Sequence, residues 1–130
     1  MLGRLLLTVD AIGMAAGALK MDYFSETHMF NPRWRPHAKF HNAQTILLAL
    51  ILSAQTLYYT WRRARSPQLH REFVFAAGLA GSIYWIAGLL SILAPGTMGV
   101  DPEFGGPGFP QAWAFVAFMG CGVLGAWLEY

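Results

Sequence analysis

Residues 73–94, FVFAAGLAGSIYWIAGLLSILA, run for 22 positions without a charged side chain. A helix rises about 1.5 Å per residue, so a run of this length crosses a hydrocarbon core of roughly 30 Å. Two further uncharged runs, Ala43–Tyr59 and Ala112–Leu128, carry tryptophan or tyrosine at or near an end, where such rings favour the membrane–water boundary. A chain of 130 residues with 55% hydrophobic and only 12% charged side chains could hardly cover itself for water, because small domains keep a large fraction of their surface exposed. The bilayer is the solvent that suits it.

A fourth run, Leu5–Leu19, is interrupted by Asp10 and flanked by Arg4 and Lys20, whose long stems can snorkel to either boundary. The small residues Ala15–Ala18 also resemble a signal-peptide cleavage site, but signal-peptide cores seldom carry an aspartate. The expected architecture is therefore all-α: a single domain over 1–130, an integral membrane bundle of four transmembrane helices. The spans fall at about 2–20, 42–61, 73–94 and 112–129, with a structured loop between the first two helices.

Four spans put both termini on one side with the loop RRARSPQLHRE, residues 62–72. Arg4, Arg62, Arg63, Arg65 and Arg71 lie on that side, against Lys20, Arg33, Arg35 and Lys39 on the other, and the RRAR cluster favours cytoplasmic termini. The third loop, residues 95–111, holds four prolines and five glycines, which excludes a continuous helix and suggests a cap over the first loop. The net charge of +2 and the absence of a long basic run give no reason to expect a nucleic-acid partner. The lone Cys121 sits in an apolar run and reads as a small packing residue. Small residues four apart, at Gly13 and Gly17, Ala77 and Gly81, and Gly122 and Ala126, allow close helix approach in lipid. Packing inside one bundle is their expected use, and a homo-oligomer interface the other.

Polar chemistry concentrates in SETHMFNPRWRPHAKFHNAQT, residues 25–45. A residue before proline is pushed out of helical geometry, so Asn31-Pro32 and Arg35-Pro36 delimit a turn, and Pro36 suits the first position of the second helix. From that start His37 and His41 lie one turn apart, followed by Gln44 and Thr45, and Gln55 returns to the stripe. Lipid cannot satisfy polar side chains, so the stripe is expected to face the bundle interior. Asp10 has the same difficulty: a carboxylate at the centre of a span costs about 2.5–3.5 kcal/mol when it faces lipid. The expectation is that Asp10 and His41 look at each other, with Glu26, His28 and Asn31 above them.

Three chemistries fit this set. Histidines and carboxylates in a partly dehydrated cavity can act as general acid and base. His37 and His41 at i, i+4, joined by His28 and by Asp22 or Glu26, could hold zinc, iron or copper, although Ala38 stands where a zincin-type HExxH motif has glutamate. The same side chains could simply hydrogen-bond the backbone of a proline-locked loop.

At Thr27-His28, Asn31-Pro32, Trp34, Pro36-His37-Ala38 and Phe40-His41-Asn42 the chain resembles an uncharacterised family of small four-span membrane proteins of filamentous fungi and bacteria, with a TH-x-x-NP-x-W-x-PHA-x-FHN signature. Some members carry an acetyltransferase label that nothing in these residues supports. Members sometimes accompany fungal biosynthetic clusters, and the resemblance implies that context rather than an activity. The layout is also similar, in architecture alone, to the sterol-isomerase and sigma-two-receptor superfamily, whose small membrane bundles do proton chemistry on apolar substrates.

The expected function is an integral membrane enzyme of secondary metabolism that isomerises, cyclises or hydrates a lipophilic terpenoid or polyketide intermediate by acid–base chemistry, without a cofactor. His41 and Asp10 are the expected proton-transfer pair, with His37 and Glu26 in support. Asn31, Gln44, Trp34, Trp85 and Tyr84 are the expected substrate contacts. The alternatives are a non-catalytic accessory, ligand-binding or carrier protein, and a metal-dependent oxygenase using His28, His37 and His41. The expected partners are the lipophilic substrate and membrane lipid, with room for a homo-oligomer. The expected location is the endoplasmic reticulum or another internal membrane of a fungal cell.

Overall fold

The computed structural model describes residues 1–130, and it contains helices and no strands. Four α-helices follow in chain order: α1 (Leu2–Gly17), α2 (Pro36–Trp61), α3 (Pro67–Ser91) and α4 (Ala112–Glu129). α1 does not stop at Gly17 but widens into a π-helix over Ala18–Tyr23, closed by an i→i+5 bond from Phe24 N–H to the Leu19 carbonyl at 2.9 Å. Such widened turns are uncommon and occur often at functional sites.

The local chemistry accounts for the helix boundaries. α2 begins at Pro36 as the sequence predicts, with Arg35 extended (ψ 153°) as a residue before proline must be. α3 starts at Pro67, ahead of its apolar run, because Ser66 caps it: the Ser66 hydroxyl accepts from Leu69 N–H at 3.1 Å, and Pro67 takes the first helical position. The link between α2 and α3 is consequently short, and the two helices pack as antiparallel neighbours.

The helices form a ring in chain order, each packed on the two beside it; α1 and α3 also touch across the middle, whereas α2 and α4 do not. The core centres on Met14, Ala18, Ile46, Ala49 and Trp85. Glycine lets α1 and α4 approach closely: a Cβ on Gly125 would sit 2.8 Å from the Gly3 carbonyl oxygen and 2.9 Å from Leu7 Cγ. Gly78 faces Ala126 and Gly13 faces the Phe118 ring, so these small residues serve packing within the bundle. Gly17, the partner of Gly13 in the sequence pattern, meets nothing.

Three helical stretches are long and apolar enough to cross a membrane: Leu2–Tyr23, Pro67–Ser91 and Ala112–Glu129. α2 has the length, at 26 residues, but its apolar run is interrupted by Gln44 and Gln55 and preceded by His37, His41 and Asn42. Large apolar side chains such as Leu5, Ile12, Leu48, Phe75, Val123 and Trp127 are exposed around the whole bundle, the pattern of a surface that meets lipid.

Candidate functional site

The polar side chains gather in three places rather than in one cavity. The first is the middle of the bundle. Asp10 is fully buried there, and its Oδ1 accepts from the Trp85 indole N–H at 2.6 Å. Room for the carboxylate is made by two glycines. A Cβ on Gly81 would fall on Asp10 Oδ2, and one on Gly122 would lie 2.8 Å from Ser82 Oγ and 3.4 Å from Asp10 Oδ2. Asp10 Oδ2 and Ser82 Oγ have no hydrogen-bond partner. The Trp85 ring is fixed by stacking on Phe118 (5.0 Å between centroids, 17° between planes) and by contact with Phe115. One level away, Ser53 Oγ donates to the Ala11 carbonyl at 2.7 Å and ties α2 to α1.

The second place is the first loop and its cap. Asn31 is buried at 1% exposure; its Oδ1 accepts from Arg33 N–H at 2.8 Å, closing an Asx turn, and its Nδ2 donates to Glu103 Oε1 at 3.0 Å. Glu103 also pairs with the Arg33 guanidinium, so the third loop is fastened to the first at a single carboxylate. Asn31, Arg33, Trp34, Asp101, Pro102 and Glu103 line an open cleft of about 420 Å³ between the two loops. Behind it stands a polar chain. Ser25 Oγ and Thr27 Oγ1 are 2.7 Å apart, Thr27 Oγ1 and His28 Nδ1 are 2.7 Å apart, and His28 Nε2 lies 3.8 Å from Asp22 Oδ1. The Trp34 ring meets His28 edge-on at 5.3 Å.

The third place is the outer face of α2. His37 and His41 are exposed, with their Nε2 atoms 3.1 Å apart, and His41 Nδ1 lies 3.3 Å from Gln44 Oε1. One tautomer set serves both contacts: His41 donates from Nδ1 to Gln44, and its bare Nε2 accepts from His37.

Several expectations are corrected by this arrangement. Asp10 and His41 do not face each other. The inward face of α2 is Asn42, Ile46, Ala49, Ser53, Thr56 and Thr60, which turns His37, His41, Gln44 and Gln55 to the outside. The level of Asp10 on α2 is set by Ser53 and Thr56, roughly 20 Å along the helix from His41 at 1.5 Å per residue. The stripe that turned inward is itself polar, with Asn42, Ser53, Thr56 and Thr60, and its small members Ala49 and Ser53 let α2 lie close against α1. Glu26 is exposed, apart from His41 and Asp10. Trp85 is Asp10's hydrogen-bond donor rather than a cavity wall, and Tyr84 is half-buried with its ring edge-on to Trp85 at 5.1 Å. Among the expected substrate contacts, Asn31 and Trp34 share the cleft, while Gln44 does not join them. His28, His37 and His41 do not converge, and no group of three or more His, Cys, Asp or Glu side chains is placed to hold a metal ion. The roles of Glu103, as the fastening of Asn31, and of Ser82, beside Asp10, were beyond sequence reasoning. Neither contact leaves a spacing pattern, since each joins residues from distant elements.

Fold and polar centres together define an all-helical bundle with three helices fit to cross a membrane, closed on one face by two interlocked loops. The chain matches the family of unknown function DUF6640 over residues 6–129, nearly its full length, and belongs to that family. No curated protein and no solved structure matches it.

Proposed function

We propose that this is a four-span membrane protein, α2 crossing with the other three helices, that performs acid–base chemistry on a lipophilic small molecule at the face carrying the first and third loops. The proton-handling set is Asp22, His28 and Thr27, in place of the Asp10–His41 pair. The observation that carries this reading is the half-exposed His28 imidazole, set between a hydroxyl 2.7 Å from Nδ1 and a carboxylate 3.8 Å from Nε2. An imidazole between a carboxylate and a hydroxyl can take a proton at one nitrogen and release one at the other. Isomerisation, cyclisation and hydration are reactions that such a group can serve.

Two surface features support a lipophilic substrate. The cleft bordered by Trp34 lies on one side of the His28 segment. On the membrane side, an apolar groove of about 240 Å³ runs between the π-helical turn, with Leu19, Tyr23 and Phe24, and α2, with Ala43, Ile46, Leu47 and Leu50. A molecule dissolved in lipid could approach the loop along this groove.

The test is complementation of a deletion strain, read by metabolite profiling. The wild-type gene should clear a discrete accumulated precursor, and His28→Gln should not, although its protein accumulates in membranes at the wild-type level. Full complementation by His28→Gln would overturn the assignment, whereas His41→Ala is expected to complement. A second reading, a non-catalytic subunit of a membrane assembly, is favoured by the polar residues on the exposed face of α2. It predicts a general fall in product on deletion, with no discrete precursor.

A further inference from the structure

The apolar groove beside α2 owes one of its walls to the π-helical turn. In an α-helix a step of five residues overshoots a full circuit by about 140°, so Phe24 would turn away from Leu19. Here the i→i+5 bond from Phe24 N–H to the Leu19 carbonyl, 2.9 Å long, widens the turn, and Leu19, Tyr23 and Phe24 line the groove together. The Tyr23 ring meets Phe24 edge-on at 4.9 Å and Phe30 at 6.3 Å, which steadies that wall. The opposite wall is α2, with Ala43, Leu47 and Leu50, and every lining residue is apolar or aromatic.

Position 39 lies four residues before Ala43 and eight before Leu47, so it shares their face of α2, one turn nearer the first loop. Lys39 stands there half-buried. It belongs to none of the ion pairs of the chain, which are Met1–Glu129, Arg4–Glu129, Asp22–His28 and Arg33–Glu103. A helical side chain leans toward the N-terminus of its helix, which for α2 is the loop end. Lys39 therefore reaches from the end of the groove toward the membrane boundary, where a long cationic side chain settles.

We infer that the groove holds one acyl chain of an anionic phospholipid, whose phosphate pairs with Lys39. The inference rests on one part of the proposed function, the crossing of the membrane by α2 with the first loop at its boundary. An apolar groove in contact with the bilayer gains nothing from water and is filled by hydrocarbon. The unpaired cation at its mouth then selects the headgroup. A zwitterionic headgroup would bring its own ammonium against Lys39, and no Asp or Glu lines the groove to receive it. One lysine near a membrane surface favours anionic lipid by about five-fold. A lipophilic substrate that follows this groove would have to displace the resident chain.

The experiment is photolabelling in phosphatidylcholine vesicles doped with one of two probes, a phosphatidylglycerol or a phosphatidylcholine carrying the same acyl-chain diazirine. Labelled positions are mapped by peptide mass spectrometry. In the wild type the phosphatidylglycerol probe should label Tyr23 and Leu47 about five-fold more than the phosphatidylcholine probe. Leu79 and Leu90, exposed on α3, should take both probes alike. Lys39→Gln should abolish the preference at the groove, and Lys39→Arg should keep it. Ala43→Phe, which fills the groove, should cut labelling there several-fold and leave the α3 positions unchanged. Equal labelling of the wild-type groove by the two probes, a preference that survives Lys39→Gln, or labelling indifferent to Ala43→Phe would overturn the inference and leave α2 in the membrane. If Leu47 takes no label from either probe while Leu79 is labelled, α2 does not cross, and the inference falls with that reading.

Discussion

Gly81→Ala is the most informative single substitution in this protein, because the added methyl would fall on the Asp10 carboxylate. Asp10 Oδ2 occupies the space that a Gly81 Cβ would need, and the Thr56 methyl stands 3.4 Å from the same point. The carboxylate cannot swing aside freely, since its other oxygen is held by the Trp85 N–H at 2.6 Å and Gly122 closes the far side. Overfilling a packed interior costs about 1–3 kcal/mol. Losing a hydrogen bond to a charged or strongly polar group adds about 1.5–3 kcal/mol. The variant should therefore lose roughly 2.5–6 kcal/mol, a large share of the stability of most small domains. Reversible unfolding by SDS titration from mixed micelles, followed by circular dichroism, measures the loss. The decisive comparison is the double-mutant cycle with Asp10→Ala, which removes the group that the new methyl strikes. In that background Gly81→Ala should cost far less, so that most of the loss of roughly 2.5–6 kcal/mol appears as coupling between the two sites. Additive losses, or a Gly81→Ala protein as stable as the wild type, would refute the carboxylate's position against α3.

Trp85→Phe keeps much of the ring packing on Phe118 but removes the donor to Asp10, leaving both carboxylate oxygens without a partner. It should destabilise the bundle by about 1.5–3 kcal/mol in the same titration, and an unchanged midpoint would show that the bond contributes nothing. Asn31→Ala should free the third loop, because the 3.0 Å bond to Glu103 is lost together with the Asx turn that positions Arg33. Limited proteolysis should then cut within residues 95–111 several-fold faster while the helices stay intact; unchanged cleavage would show that the loops are held by other contacts.

Most of the helical architecture was legible in the chain, and particular residues show why. The uncharged run from Phe73 gives α3 directly, and Arg35-Pro36 marks the start of α2 by local sterics alone. The turn at Asn31 was legible for the same reason, as was the capping character of the third loop. The π-helical continuation of α1 was not, because Ala18–Tyr23 carries no proline or other residue that demands a wider turn. The pairing inside the candidate site was the least legible part. A burial argument correctly demanded that Asp10 find a partner, yet it chose His41 because histidines and carboxylates are chemically matched, and the partner proved to be an indole N–H. Trp85 reads from the sequence as a substrate contact, since nothing in sequence spacing tells which way an indole points.

What the sequence by itself determined is the set of local consequences. Charge-free runs become helices, prolines fix where turns lie, and a stretch of four prolines and five glycines forms no α-helix and only the short 3-10 turn Pro102–Phe104. These follow from backbone sterics and transfer free energy, which each segment carries wherever it packs. Only the tertiary structure decided the rotation of α2 about its own axis. A helix with two competing stripes, Asn42–Ile46–Ala49–Ser53 and His37–His41–Gln44–Gln55, can bury either one until a neighbour is present. Small side chains at Ala49 and Ser53 admit α1 at close range, and the Ser53 hydroxyl reaches the Ala11 carbonyl, so that stripe turned inward. The histidines were left on the outside by the fit of one helix against another, a property that neither segment carries alone.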